Sequence, residues 1–320
     1  MSNILNIFLS STSQGLLWSL LAIGVFLTYR ILDIADLTTE GSFPLGGAVA
    51  AIILTKDPTT WPAPLQALME LNPIMTPLIA VLIAFVAGTL AGLVSGLLHT
   101  KLKIPALLAG IITMTGLYSI NSRIMGAPNI PLLGTDTIFS PAQTLGLTKI
   151  NSVILIGLLI VAVVIVLLVL FFKTEIGLAT RATGDNIEMS EANGIKTDNM
   201  KIIGYMLSNG CIALAGALLA QNNSFADLNS GIGTIVIGLA SIIIAEVLFR
   251  NKSLPVRLIT IVIGAILYRF ILACVLELNV DPADLKLFSA IILVICLSSP
   301  LIQKKLGFSK KNTKKGGQAK

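Results

Sequence analysis

Nine apolar runs, broken by short polar joints, set the pattern of the chain. They lie near residues 14–32, 38–55, 77–98, 105–124, 151–172, 200–220, 231–249, 257–276 and 285–302. A helix crosses about 30 Å of hydrocarbon with roughly 20 apolar residues, and these runs approach or exceed that length. The ~10-residue alternating segments of a membrane β-barrel do not occur. The pattern predicts an all-α, polytopic membrane protein with about nine transmembrane helices, forming a single domain over residues 1–303.

Two of the runs begin abnormally. In ADLTTEGSFPLGGAVAAIIL, residues 35–54, the polar residues Asp36, Thr38, Thr39, Glu40 and Ser42 crowd the entry, and Gly41, Pro44, Gly46 and Gly47 interrupt the join. The triplet ADL returns at 226–228 in ADLNSGIGTIVIGLASIIIA, again ahead of a glycine-rich apolar run. Aligning Gly41 with Gly231 matches Ala50 with Ala240, Ile52 with Ile242 and Ile53 with Ile243; the ADL triplets fall into line after a one-residue slip. The two copies enter from opposite sides, as a unit of five spans followed by an inverted unit of four would produce. Inverted repeats with Gly/Pro-broken helices at matching positions are a transporter signature. The expected division is a first repeat over about 14–172 and a second over about 200–302.

A helix that breaks inside the membrane leaves free N–H groups and a partial positive end able to hold an anionic group. Nearby hydroxyls bond a ligand or satisfy exposed backbone. Asp36, Thr38, Thr39, Glu40, Ser42 and Asp227 are therefore candidate linings of a translocation pathway. Close helix packing through small residues is the other use of the same glycines.

Composition sharpens this picture. Of 320 residues, 55% are apolar and 12% charged, against about 25% charged in a soluble domain; mean hydropathy is +0.90. Alternate loops and the C-terminal tail hold seventeen Lys and Arg, among them Arg30, Lys101, Lys103, Arg181 and Arg257, whereas the opposite loops hold four. By the positive-inside rule the basic side is cytoplasmic, with the N-terminus outside and the C-terminus inside. Residues 304–320 read as a polybasic cytoplasmic tail drawn to anionic headgroups. No removable signal peptide is expected, because the N-terminus lacks a basic region and a small-residue cleavage site. The stretches 56–76, with Trp61, and 125–150 are expected outside, where an external partner is received. Cys211, Cys274 and Cys296 lack metal-ligand spacing and read as packing residues, so no metal site is expected. His99, the single histidine, reads as interfacial rather than catalytic.

An ionisable group at membrane depth costs about 2.5–3.5 kcal/mol on insertion scales, so each needs a partner or a purpose. Glu246 and Arg250, four apart, are expected to pair on one helix face. Arg269 has no opposite charge within one turn. Asp36 or Glu40 is its expected partner, with Glu277 two turns on, and both a structural ion pair and a place in the translocation pathway are open to it.

The segment KTEIGLATRATGDNIEMSEANGIKTDNMK, residues 173–201, is too polar to cross. Asp185 with Glu188 makes an acidic variant of the capping box, and Asn193–Gly194 supplies a stop. A short cytoplasmic helix is expected between them, presenting Ile187, Met189, Ala192 and Ile195. Its acidic residues disfavour a seat on anionic lipid, and a soluble partner suits it better.

The stretch GLATRATGDNIEMSEANGIKTDNMKIIGYMLSNGCIALAGALLAQ resembles the coupling region of permease subunits of bacterial ABC importers, in the superfamily serving branched-chain amino acids and ribose. The positions that carry the resemblance are Gly177, Arg181, Ala182, Gly184, Asn186, Ala192, Gly194 and Ile195. GLLWSLLAIGVFLTYRILDIADLTTEGSFPLGGAVAA and GLYSINSRIMGAPNIPLLG are similar to a sub-branch linked to tryptophan and tyrosine uptake. The resemblance implies a permease homodimer, a cytoplasmic ATPase dimer and an extracytoplasmic substrate-binding lipoprotein, working in the cell membrane. It also implies that Arg181, Gly184, Asp185, Asn186, Ile187, Glu188, Ala192, Asn193 and Gly194 couple the permease to the ATPase.

The chain has no G-x-x-x-x-G-K-[ST] phosphate loop and none of the H-E-x-x-H or G-x-S-x-G constellations. It is expected to be a transport subunit rather than an enzyme, with no cofactor of its own and with ATP and Mg on the partner. The alternative is a self-contained secondary transporter using Asp36, Glu40 and Arg269 as an ion or proton relay.

Overall fold

The computed structural model describes residues 2–56, 74–249, 253–277 and 284–305. The stretch around Trp61, residues Arg250 and Lys252, and the basic residues past 305 lie outside the described residues. In chain order the helices are α1 (Ser2–Phe26, prolonged by a π-helical turn, Leu27–Ile31), α2 (Thr39–Thr55), α3 (Met75–Thr100), α4 (Ala106–Met125), α5 (Ser140–Thr144), α6 (Lys149–Phe171), α7 (Glu175–Asp185), α8 (Ile187–Ala192), α9 (Thr197–Asn223), α10 (Thr234–Leu248), α11 (Leu254–Glu277) and α12 (Leu285–Lys305). Five of them, α1, α3, α6, α9 and α11, are long and apolar enough to cross a membrane, and α2 and α10 are shorter apolar helices. The architecture is that of an all-α, polytopic membrane protein.

Two three-residue strands join the loops at one end. β1 (Asn129–Pro131) pairs antiparallel with β2 (Phe225–Asp227), Ile130 opposite Ala226.

The centre of the bundle is α9, buried along most of its length from Gly204 to Asn222 and packed chiefly against α3, α2 and α1. Its sequence, rich in Ala and Gly, allows neighbouring backbones to touch without side chains between them. A Cβ built on Gly46 of α2 would lie 1.8 Å from the Ala213 carbonyl oxygen, and one on Gly216 would lie 2.0 Å from that of Phe43. Gly88 and Gly92 of α3 also press on this helix, a Cβ there lying 2.3 Å from the Asn209 carbonyl oxygen and 2.2 Å from that of Tyr205. Around this centre the outer helices leave apolar side chains uncovered, including Leu82, Val86, Leu90 and Val94 of α3 and Leu155, Leu159 and Val163 of α6. Such continuous exposed apolar stripes suit hydrocarbon rather than water.

The end opposite the β-pair carries the ion pairs found among the described residues. Arg30 Nε donates to Glu246 Oε1 at 2.8 Å, and Arg257 Nη2 reaches the same oxygen at 3.0 Å, tying α1, α10 and α11 together. Glu246 thus pairs with arginines of two other helices; Arg250, its expected partner, lies outside the described residues. Lys101 and Lys103 each lie 3.7 Å from Asp198. His99 sits close by, its Nδ1 2.9 Å from the Ile104 carbonyl oxygen, closing the short turn between α3 and α4.

Candidate functional site

The broken entry to α2 lies deep within the bundle. Asn209 marks its level: at 1.5 Å per residue it stands about 18 Å from the Thr197 end of α9 and about 21 Å from the Asn223 end. Asp36, 3% exposed, accepts the Thr38 N–H on Oδ1 at 2.9 Å and the Asn209 amide on Oδ2 at 2.8 Å. Asn209 Oδ1 in turn accepts from the Ser42 hydroxyl at 2.7 Å. Thr39 Oγ1 donates back to the Asp36 carbonyl at 3.1 Å, and the Thr38 hydroxyl bonds that of Ser95. The carboxylate therefore serves a helix start buried in the bundle, at the positive end of the α2 dipole.

Asp36→Ala leaves the Thr38 N–H and one of the two Asn209 amide N–H groups buried without an acceptor, the other still donating to the Tyr205 carbonyl at 3.0 Å, at about 1–3 kcal/mol for each orphaned donor. The purified variant is expected to show a lowered thermal-unfolding midpoint; an unchanged midpoint would count against this role.

Glu40 works across the aligned pair of entries. Its Oε1 accepts the Gly233 N–H at 3.0 Å, immediately before α10. Pro44 removes the donor that would otherwise reach the Glu40 carbonyl, and Gly231 approaches that carbonyl so closely that a Cβ would lie 1.9 Å away. The starts of α2 and α10 thus touch each other in the interior.

Arg269 departs from expectation. It pairs with neither Asp36 nor Glu40, both of which are engaged elsewhere. Its guanidinium carbon instead lies 4.2 Å from the centre of the Trp18 ring, a cation–π contact, and its Nε is buried without a hydrogen-bond partner. Asp36, Glu40 and Arg269 therefore hold three separate sets of partners.

Trp18 also stacks on Phe43, ring centres 5.3 Å apart at 23°. These two rings border a cavity of about 210 Å³ that reaches the β-paired end, where Asn223 and Asp227 line it. Asp227 Oδ1 accepts the Asn229 N–H at 2.9 Å. Sequence reasoning singled out Asp227 but missed Trp18, Phe43 and Asn209. An asparagine inside an Ala/Gly-rich span was an available signal for Asn209; nothing local marks the aromatic pair.

At the charged end, residues 173–196 form a projecting unit. Thr174 caps α7, its hydroxyl accepting the Gly177 N–H at 3.2 Å. Asn186, extended at φ −159° and ψ 110°, both ends α7 and caps α8, accepting the Met189 N–H at 2.9 Å. This corrects the expected cap: Asp185 is the last residue of α7, and the next helix is the six-residue Ile187–Ala192, stopped by Asn193 and by Gly194 at φ +78°. Arg181, Asp185, Ile187, Glu188, Ala192, Asn193 and Gly194 are exposed. Ser190 turns inward, its hydroxyl donating to the Asn186 carbonyl at 2.8 Å. Gly184 anchors the unit, since a Cβ there would stand 1.7 Å from the Ile31 carbonyl oxygen in the π-helical turn.

Comparison with known proteins follows this geometry. The family model described as "Branched-chain amino acid transport system / permease component" matches residues 7–297. The tyrosine transport system permease protein of Clostridioides difficile is 37% identical over 291 residues, covering 91% of this chain and 90% of its own. An uncharacterized protein of Rickettsia prowazekii is 32% identical over 300 residues, 92% of this chain and 98% of its own. The autoinducer 2 import system permease protein of Yersinia enterocolitica is 29% identical over 176 residues, 55% of this chain and 46% of its own. No solved structure matches.

Proposed function

The chain belongs to the permease-component family of branched-chain amino acid transport systems, and on that premise we propose that it forms the membrane pathway of an ABC importer for an amino acid. Tyrosine is the favoured solute, being the one named for a relative that is similar over nearly the whole chain. In this reading two copies of the permease pair with an ATPase dimer, which binds ATP and Mg, and with an extracytoplasmic binding protein that delivers the solute. The charged end faces the cytoplasm and the β-paired end faces out. The contact between the aligned segments at Glu40 and Gly231 supports the inverted repeat of nine spans.

The observation that carries the reading is the projecting α7–α8 unit. It offers the exposed side chains of Ile187 and Met189, flanked by Glu188 and Glu191, while Gly184 seats the unit directly on the α1 backbone. Arg181, Gly184, Asp185, Asn186 and the stop at Ala192, Asn193 and Gly194 shape it for a groove in the ATPase. A push on α8 is passed to the π-helical turn at Ile31. Arg30 hands it through Glu246 and Arg257 to α10 and α11. The other tip of α10 is held by Glu40 at the start of α2. Closure of the ATPase dimer therefore tilts both half-length helices together and exposes the pathway to alternate sides of the membrane.

The test is reconstitution in liposomes. Uphill uptake of L-tyrosine should require ATP, the ATPase and the binding protein together. Uphill movement by the permease alone, driven by a proton or sodium gradient, would overturn the reading in favour of a secondary transporter.

A further inference from the structure

The uncovered faces of the helices are not alike. Past the first turn of α3 and of α6 every exposed residue is apolar, Val86 and Val163 among them. α4 differs. Its exposed face is apolar near the charged end, at Leu108, Ile111 and Ile112. From mid-helix to the β-paired end it carries Thr115, Gly116, Tyr118, Ser119, Ser122 and Arg123, with Ile120 at the margin. At about 100° per residue those six share one side of the helix, over about 12 Å. Among the described residues the Tyr118, Ser119 and Ser122 hydroxyls have no hydrogen-bond partner, and Arg123 has no carboxylate within ion-pairing distance. Hydrocarbon offers such groups no partner, so lipid does not suit this face. Gly116 is a second sign. Among the described glycines it alone has open space within 4 Å of a built Cβ and no positive φ. Packing within this chain does not call for a glycine there, and a glycine inside a helix costs about 1 kcal/mol against alanine. Room on the open side of the helix does call for one.

We propose that the outer half of α4 is a wall of the water-filled solute route, open toward the β-paired end, with Gly116 keeping the route clear. The hydroxyls singled out at the entry of α2 are not free for this role: Thr38 bonds Ser95, and Ser42 bonds Asn209. α4 is joined to that entry from its other side. Asn121 donates its amide N–H to the Gly41 carbonyl at 3.1 Å, and a Cβ on Gly41 would lie 2.9–3.1 Å from Leu117 and Met114. A tilt of α2 therefore carries α4 with it. Hydroxyls along the wall and one cation at its mouth suit a small polar solute. The inference rests on the importer reading for what passes and for the second copy that supplies the facing wall; it adds which residues the solute meets.

The test is thiol accessibility in right-side-out membrane vesicles holding the complete transporter. The background carries Cys274→Ser and Cys296→Ser, and Cys211 is kept because it is buried. Thr115→Cys and Ser119→Cys are treated from outside with a permanently charged, membrane-impermeant methanethiosulfonate. Both should react about tenfold faster or more than Val86→Cys and Val163→Cys, whose thiols lie in hydrocarbon and stay protonated. The attached group should then block uptake of L-tyrosine. Gly116→Leu, whose Cβ meets nothing within 4 Å, should keep the thermal-unfolding midpoint and abolish uptake. Thiols at 115 and 119 that react no faster than the two controls would overturn the proposal and leave the importer reading intact. So would rapid reaction with uptake unimpaired, which would put this face in water but off the route. Rapid reaction that blocks an uptake driven by a proton or sodium gradient, without ATP, would uphold the route and remove the importer reading.

Discussion

Gly46→Ala is expected to destabilise the protein by about 3 kcal/mol or more, the upper end of overpacking penalties, while Gly47→Ala next to it is neutral or slightly stabilising, by up to about 1 kcal/mol. The two glycines are adjacent in α2 but face different neighbours. At Gly46 the added carbon would fall 1.8 Å from the Ala213 carbonyl oxygen and 2.7 Å from its Cα. Those are backbone atoms of the central helix and have no rotamer with which to give way, so α2 and α9 must separate along their length. That separation would also pull Ser42 from Asn209 and loosen the hydrogen bonds around Asp36. At Gly47 the same carbon meets only ordinary contacts. Thermal unfolding of the two purified variants in one detergent decides the matter: a drop confined to Gly46→Ala supports the backbone contact, and equal midpoints would refute it.

The membrane class and the long helices were legible because a helix that faces lipid or a packed apolar neighbour on every side needs an unbroken apolar run, and such runs are visible in one dimension. The broken entry to α2 was legible for the converse reason. Asp36, Glu40 and Pro44 make no sense in an ordinary span. What they bond to was not legible: the partner of Asp36 is Asn209, 173 positions away, and that of Glu40 is a backbone N–H before α10. Arg269 shows the same limit more sharply. Charge complementarity pointed to Asp36 or Glu40, but both carboxylates were already committed to orphaned helix-start donors, and the guanidinium settled on an aromatic face. The split between α7 and α8 was missed because Asp185 and Asn186 are both competent caps. Asn186 is the one whose side chain meets the Met189 N–H, and Gly184 two residues before it docks against Ile31, a tertiary contact that local sequence does not show. The strands β1 and β2, three residues each, are too short to carry any periodic signal.

The double variant Ile187→Asp, Met189→Asp is expected to abolish ATP-driven uptake with the permease still folded. Both side chains are exposed, at 43% and 66%, so their replacement removes no packing from the bundle. The cap at Asn186 and the inward bond of Ser190 are untouched, so α8 itself persists. What changes is the surface offered to the ATPase. Fully burying an aliphatic side chain of this size is worth about 1.5–3 kcal/mol, and an aspartate in the same pocket would carry an unpaired charge out of water. Loss of even one anchoring residue worth about 2 kcal/mol lowers affinity roughly 30-fold. Co-purification should therefore show the ATPase released, and uptake should fall to the level seen without ATP, while the thermal-unfolding midpoint of the purified permease is unaltered. Leu133→Asp serves as the counterpart: that leucine is 82% exposed but lies toward the β-paired end, and its replacement should leave ATPase retention unchanged. Retention of the ATPase and full uptake by the α8 double variant would show that force enters the permease elsewhere.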